Sequence, residues 1–202
     1  MTYSNLISAT QADGTDVLYD FFRGERFDPV VLGSADVGRT WVSLGQLLRD
    51  PLDDPDTRPY VQYRSTTQAR IDFIATEAHP DTMPTAIYHG YVEGGLVHQS
   101  DGTPLGPVGS AIPVTALTRV WGPVGSERGW TADLVADPDT GALTVAFSVR
   151  LSVSDHRYWL AGVVRDRVGG GRGGVRGRGP STQLSRAIRA CSRSTRPTPA
   201  TS

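Results

Sequence analysis

The sequence predicts an all-β protein: a partial β-propeller of about three four-stranded antiparallel blades over residues 1–161, with a disordered tail over 162–202. Three observations carry this reading. Short apolar-rich segments recur in sets of four, punctuated by Gly, Pro and Asp turn residues. Comparable strands return along the chain, namely Leu18-Tyr19-Asp20-Phe21-Phe22, Ile71-Asp72-Phe73-Ile74-Ala75 and Leu143-Thr144-Val145-Ala146-Phe147. The first interval fits a blade period of roughly 40–50 residues; the second needs an insertion, which the Gly/Pro-rich stretch 101–112 or the loop 122–129 can hold. Helical periodicity is weak outside Leu44–Leu48.

The first set is expected at 4–10, 16–23, 28–34 and 39–48, with turns at Ala12-Asp13-Gly14, Arg23-Gly24-Glu25 and Ser34-Ala35-Asp36-Val37-Gly38. The second is expected at 60–65, 70–76, 85–92 and 95–99, with a tight hairpin at Gly94-Gly95. The third falls at about 113–120, 130–136, 142–150 and 156–161, with its clearest turn at Asp137-Pro138-Asp139-Thr140-Gly141.

Charge separates the two regions. Residues 1–161 hold 20 acidic residues against 11 Arg, a balance of −9. Residues 162–202 hold 9 Arg against Asp166 alone, +8, and the chain sums to −1. Lysine is absent. The Arg/Gly-rich tail could be a nucleic-acid arm or a solvated tail. Out-of-frame translation fits it better: with GC-rich codons, a one-base slip over Gly162–Gly179 permits a turn followed by an alternating strand. Nucleic acid is therefore not an expected partner. No apolar run approaches the roughly 18–20 residues of a membrane span, and no signal peptide is visible. Cys191 has no second cysteine to pair with, so the compartment stays open.

Residues 34–41 read Ser-Ala-Asp-Val-Gly-Arg-Thr-Trp. Ser34 and Asp36 can accept backbone N–H bonds, Gly38 supplies a conformation other residues avoid, and Trp41 can anchor the next strand in the core. This pattern matches the Asp box of sialidase-like propellers. The chain resembles bacterial BNR-repeat proteins more widely, through Thr2-Tyr3-Ser4-Asn5-Leu6, Tyr19-Asp20-Phe21-Phe22-Arg23-Gly24-Glu25, Arg58-Pro59-Tyr60-Val61, Arg70-Ile71-Asp72-Phe73, Thr76-Glu77-Ala78-His79-Pro80, Ile87-Tyr88-His89, Ser100-Asp101-Gly102-Thr103 and Asp155-His156-Arg157-Tyr158-Trp159. The resemblance covers roughly residues 1–161. It implies a multi-bladed propeller, usually secreted, some of whose members act on polysaccharides, ulvan-type lyases among them. With at most three blades, the chain is expected to be a truncated piece with open blade edges prone to self-association.

In sialidase-like propellers the ligand face lies opposite the Asp box, on the loops joining second to third strands. Those loops offer Arg23, Glu25 and Arg26; then Glu77, His79 and Asp81; then Arg150, Asp155 and His156. Arg23, Glu25, Asp155 and His156 are the expected substrate-binding residues. A lyase needs a cation to offset the acidified carboxylate and a His or Tyr base, which points to His79, His89, Tyr88 and Arg150. A hydrolase needs two carboxylates, and Glu77 with Glu25 or Asp155 is the pair to consider. Trp121, Trp130 and Trp159 read as blade core or sugar platforms, with core preferred. His79 and His89 are too few to specify a metal, and no cofactor is called for. The expected function is that of a fragment of a carbohydrate-active propeller, a lyase or glycoside hydrolase acting on acidic polysaccharide. The alternative is a non-catalytic carbohydrate-binding scaffold or an inactive truncated copy.

Overall fold

The computed structural model describes residues 2–24, 27–50, 57–137, 139–140, 142–163 and 189–190. The described residues are almost wholly strand and turn, in three sheets. The first holds β1 (Thr2–Thr10), β2 (Asp16–Arg23), β3 (Pro29–Ser34) and β4 (Val42–Arg49) in chain order and antiparallel, with β10 (Ser110–Pro113) added parallel to β4. The middle sheet runs β5 (Val61–Ser65), β6 (Arg70–Ala75), β7 (Ile87–Glu93), β8 (Leu96–Gln99) and β9 (Pro104–Pro107), and β11 (Thr118–Trp121) also pairs with β7. The third runs β12 (Arg128–Ala136), β13 (Leu143–Arg150), β14 (His156–Val163) and the two-residue β15 (Arg189–Ala190). Consecutive strands joined by short turns are the cheapest way to satisfy backbone groups along one chain.

The core explains the order of the sheets. The central strands of the middle sheet, β6 and β7, are buried on both faces: every residue from Ile71 to Ala75 and from Ile87 to Val92 is buried. In the third sheet β13 alternates, with Leu143, Val145, Phe147 and Val149 inward. One apolar cluster joins the first and middle sheets through Tyr19, Phe21, Tyr63 and Phe73, whose rings follow one another at 5.8, 4.5 and 6.2 Å. A second joins the middle and third sheets, with Ile74, Ile87 and Val120 meeting Leu134, Val145 and Phe147. The middle sheet is thus sandwiched between its neighbours.

Most expected strands lie within one to three residues of their observed ends. The third set differs. Residues 113–120 do not open the third sheet; they form the end of β10, a 3-10 turn at Val114–Ala116 and β11, which pairs with β7. β8 and β11 share one edge of β7, opposite Gly90–Glu93 and Ile87–His89 respectively. Between them, the stretch read as a loop at 101–112 builds β9 against β8 and β10 against β4, bridging two sheets. β14 also continues past Ala161 to Val163. The remainder of the tail, 164–188 and 191–202, lies outside the described residues, as do Glu25 and Arg26.

Two glycines make the bridge possible. Gly45 (φ +113°) and Gly109 (φ +89°) bring β4 and the β9–β10 connection into backbone contact; a Cβ on Gly109 would sit 2.0 Å from the Leu44 carbonyl oxygen. Gly109→Ala is therefore expected to lower stability by about 1–3 kcal/mol, because both the left-handed backbone and the close approach are lost. A urea melt unchanged by the substitution would show that the bridge is dispensable.

Candidate functional site

Antiparallel order fixes which loops share an end of the stack. The starts of β1, β5 and β12 lie at the same end as the loops β2–β3, β6–β7 and β13–β14. The connections β1–β2, β3–β4 and β7–β8 lie at the other. The correction to the third set therefore moves Arg150, Asp155 and His156 onto a genuine second-to-third-strand turn, level with Arg23 and His79.

The Ser34–Trp41 turn is at the opposite end. Ser34 Oγ donates to Asp36 Oδ1 at 2.8 Å and accepts from the Gly38 N–H at 2.8 Å. Asp36 also accepts from the Thr40 N–H and hydroxyl, at 2.8 and 2.7 Å. These bonds hold the Asp36 carboxyl down at about 2, against an ordinary 3.8. Gly38 has φ +84°. Trp41 departs from expectation. It is 38% exposed, and its indole N–H donates to the Gly38 carbonyl at 3.1 Å, so it lies over the turn and not in the core.

At the loop end an aromatic and cationic cluster spans all three sheets. The Arg23 guanidinium, at the end of β2, lies 4.1 Å from the Tyr60 ring centre and 4.7 Å from that of Tyr3. Tyr60 precedes β5, and its backbone is held on both sides by Thr76: its N–H donates to Thr76 Oγ1 at 3.2 Å and its carbonyl accepts from the Thr76 N–H at 3.0 Å. Its ring meets His79 edge-on at 4.8 Å and Trp130 at 5.7 Å, and His79 meets Trp130 at 5.2 Å. Tyr3, Arg23, Tyr60 and Trp130 line one cleft of about 230 Å³. Trp130 and Arg150 line a smaller one with His156.

His79 is fixed by its own loop. Its Nδ1 accepts the Asp81 N–H at 3.1 Å, so the neutral ring carries its proton on Nε2 and is a donor there. Two arginines of the third sheet hold this loop. Arg128 donates to the carbonyls of Pro80 and Asp81, at 3.0 and 2.6 Å, and Arg150 pairs with the Asp81 carboxylate at 3.0 Å. Thr85 and Gly129 exchange two further bonds, at 2.9 and 2.7 Å.

The other candidates are placed elsewhere or committed to partners. His89 is fully buried, with Nε2 at 3.0 Å from Asp72 and Nδ1 at 2.7 Å from the Ser100 hydroxyl, so it belongs to the interior and not to the loop face. That separates it from His79 as a possible second metal ligand. Tyr88 donates to Glu77 Oε1 at 2.8 Å, and burial together with that carboxylate pushes its phenol up. Glu77 Oε2 takes the Ala86 N–H at 2.7 Å. Asp155 is paired with Arg157, at 3.1 and 2.8 Å. Trp121 and Trp159 pack against the second core cluster, while Trp130 is 37% exposed. Tyr60 and Trp130 are the site residues that local reading undervalued. Their signal was their place at the start of a first strand, the edge that lines a propeller's channel.

No family model and no curated protein matches the chain. Among solved structures it is similar to a polysaccharide lyase described as PL25 ulvan lyase, both bound to -[GlcA(1-4)Rha3S]- and in a second structure. Identity is 18% and the TM-score 0.58 in each case, over 80% of this chain and 41% of that one. The likeness is one of fold: the chain is all-β, built of antiparallel sheets like those of that β-propeller-like neighbour. It spans about two fifths of the neighbour's length.

Proposed function

We propose that this chain is part of a carbohydrate-active propeller of the BNR, Asp-box kind, and that it binds an acidic polysaccharide at the Arg23–Tyr60–His79–Trp130 face and cleaves it by β-elimination. The observation that carries the reading is the Arg23 guanidinium stacked on Tyr60 beside the His79 and Trp130 rings, where loops of all three sheets meet. Aromatic faces suit the apolar face of a sugar ring, and arginine suits a carboxylate or sulfate. The fold likeness to a lyase solved with a glucuronate-containing oligosaccharide supports the substrate class.

In β-elimination a base removes the proton from C5 of the uronate, the bond from C4 to the glycosidic oxygen breaks, and a C4–C5 double bond forms. The departing oxygen takes a proton, and no water is consumed. The carboxylate must be neutralised as C5 loses its proton. Arg23 and the Nε2–H of His79 are the donors for that charge; Tyr60, acting as the phenolate, would take the C5 proton and, as the phenol so formed, return it to the departing oxygen. Tyr88 cannot serve while Glu77 holds its hydroxyl.

The test is calorimetric titration with uronate oligosaccharides, with release of unsaturated product followed by ultraviolet absorbance. Arg23→Ala is expected to weaken binding by about tenfold or more, and added salt to weaken the wild type towards the variant. Absence of binding by the wild type would overturn the reading. Binding without product would leave the non-catalytic alternative.

A further inference from the structure

Two members of the loop-end cluster, Tyr60 and His79, come from the middle sheet and meet edge-on at 4.8 Å. They stand on different segments, Tyr60 just before β5 and His79 in the loop after β6. Val61–Ala75 is the last pair of the β5–β6 ladder at this end. Beyond it both segments leave the sheet, and the ladder no longer fixes where either ring points. Thr76 stands at that point and is fully buried. Its N–H donates to the Tyr60 carbonyl at 3.0 Å, extending the ladder by one bond. Its hydroxyl accepts the Tyr60 N–H at 3.2 Å and donates to the Ala78 carbonyl at 2.7 Å. Ala78 is buried as well and immediately precedes His79. A single oxygen thus joins the backbone that carries Tyr60 to the backbone that carries His79. On the far side, the Thr82 N–H and hydroxyl both donate to the His79 carbonyl, at 3.0 and 2.7 Å.

We propose that Thr76 is a positioning residue of the site: its hydroxyl sets the relation between the Tyr60 phenol and the His79 Nε2–H. The proposal rests on the cleavage reading above, in which Tyr60 moves the proton while His79 donates to the carboxylate. Both groups must act on one sugar residue in one step, so their spacing relative to each other governs the rate. A hydroxyl can donate and accept at once, and here it does both. In a buried setting, loss of either bond leaves a backbone group without its partner. Valine has the shape of threonine and offers neither bond. The Tyr60 N–H and the Ala78 carbonyl would then turn to other partners and carry the two rings apart.

Thr76→Val is expected to lower kcat at least about tenfold while KM moves by less than about threefold, because the ring surfaces that bind the sugar remain. Thr76→Ser keeps the hydroxyl and should restore most of the rate. Thr76→Cys has the shape of the serine variant with a weak sulfur donor, and should behave like valine. Circular dichroism melts report whether each variant is folded, and rates are taken well below each melting temperature. The Ser and Cys pair decides the matter if the valine variant does not fold. A role confined to stability predicts a lower melting temperature with kcat intact in Thr76→Val. That result overturns the proposal, as does an equal loss of rate in the Ser and Cys variants. A second readout needs no turnover: the nuclear Overhauser effect between the Tyr60 and His79 ring protons should persist in Thr76→Ser and weaken in Thr76→Val and Thr76→Cys. A wild type that releases no unsaturated product overturns the cleavage reading, and a ring contact that stays intact in Thr76→Val overturns the positioning role by itself.

Discussion

Asp72→Ala is expected to cost about 3–5 kcal/mol of folding stability, the usual penalty for stranding a buried charged partner. Asp72 is fully buried in β6 and accepts bonds from Arg70 Nε and Nη2 at 3.1 and 2.9 Å, from His89 Nε2 at 3.0 Å, and from the Thr66 hydroxyl. His89 in turn contacts Ser100, which follows β8, so the network ties three strands of the middle sheet together. Removing the carboxylate leaves a buried imidazole and a guanidinium short of their acceptor. The loss is large against the roughly 5–15 kcal/mol that holds a domain together. A urea melt giving a loss under about 1 kcal/mol would contradict this account.

The same carboxylate fixes the sign of an acid effect. Burial pushes Asp72 up, but the bonds from His89 and Arg70 outweigh it and leave the group at about 2, against an ordinary 3.8. The folded pKa is the lower one, so the unfolded chain takes up the proton first. This contribution is whole above about pH 4 and is lost as pH falls through about 2. Asp36 acts in the same direction over the same window. Asp72→Asn is expected to flatten the fall in melting temperature across that range.

The sequence disclosed strands where the cause was local. Gly94 and Gly95 both have positive φ, as the two-residue hairpin requires, and the Glu93–Leu96 pair closes it. The Asp137 turn is likewise held by its own side chain, which accepts from the Thr140 N–H at 2.7 Å. Local pattern failed where the partner was distant. β9 and β10 are edge additions to different sheets and tolerate Pro, with a Gly in β9 as well, so their composition reads as loop. His89 is a candidate base by residue type alone; with sheets on both sides, every position from Ile87 to Val92 is buried. Trp41 was assigned to the core on type alone, and its indole N–H found a turn carbonyl instead. The loop-end cluster depends on which strands come first in each sheet, information that no single segment holds.

Tyr60→Phe is expected to slow release of unsaturated product by about 10²–10⁴-fold while binding changes little, the pattern of a group needed only as the proton moves. The substitution removes one oxygen and leaves the ring. The stacking of Arg23 on that ring, the edge contacts with His79 and Trp130, and the Thr76 bonds to the Tyr60 backbone should all survive. Loss of rate then reports the hydroxyl and not the architecture. His79→Ala differs, because it removes a wall of the cluster as well as a donor, so binding and rate should fall together. Tyr88→Phe is the internal control. Its hydroxyl is bonded to Glu77 beneath the site, so its removal should lower thermal stability and spare the rate. If Tyr88→Phe abolished cleavage and Tyr60→Phe spared it, the proton would have to travel through the Glu77–Tyr88 pair, and the β6–β7 loop would have to open for substrate to reach it.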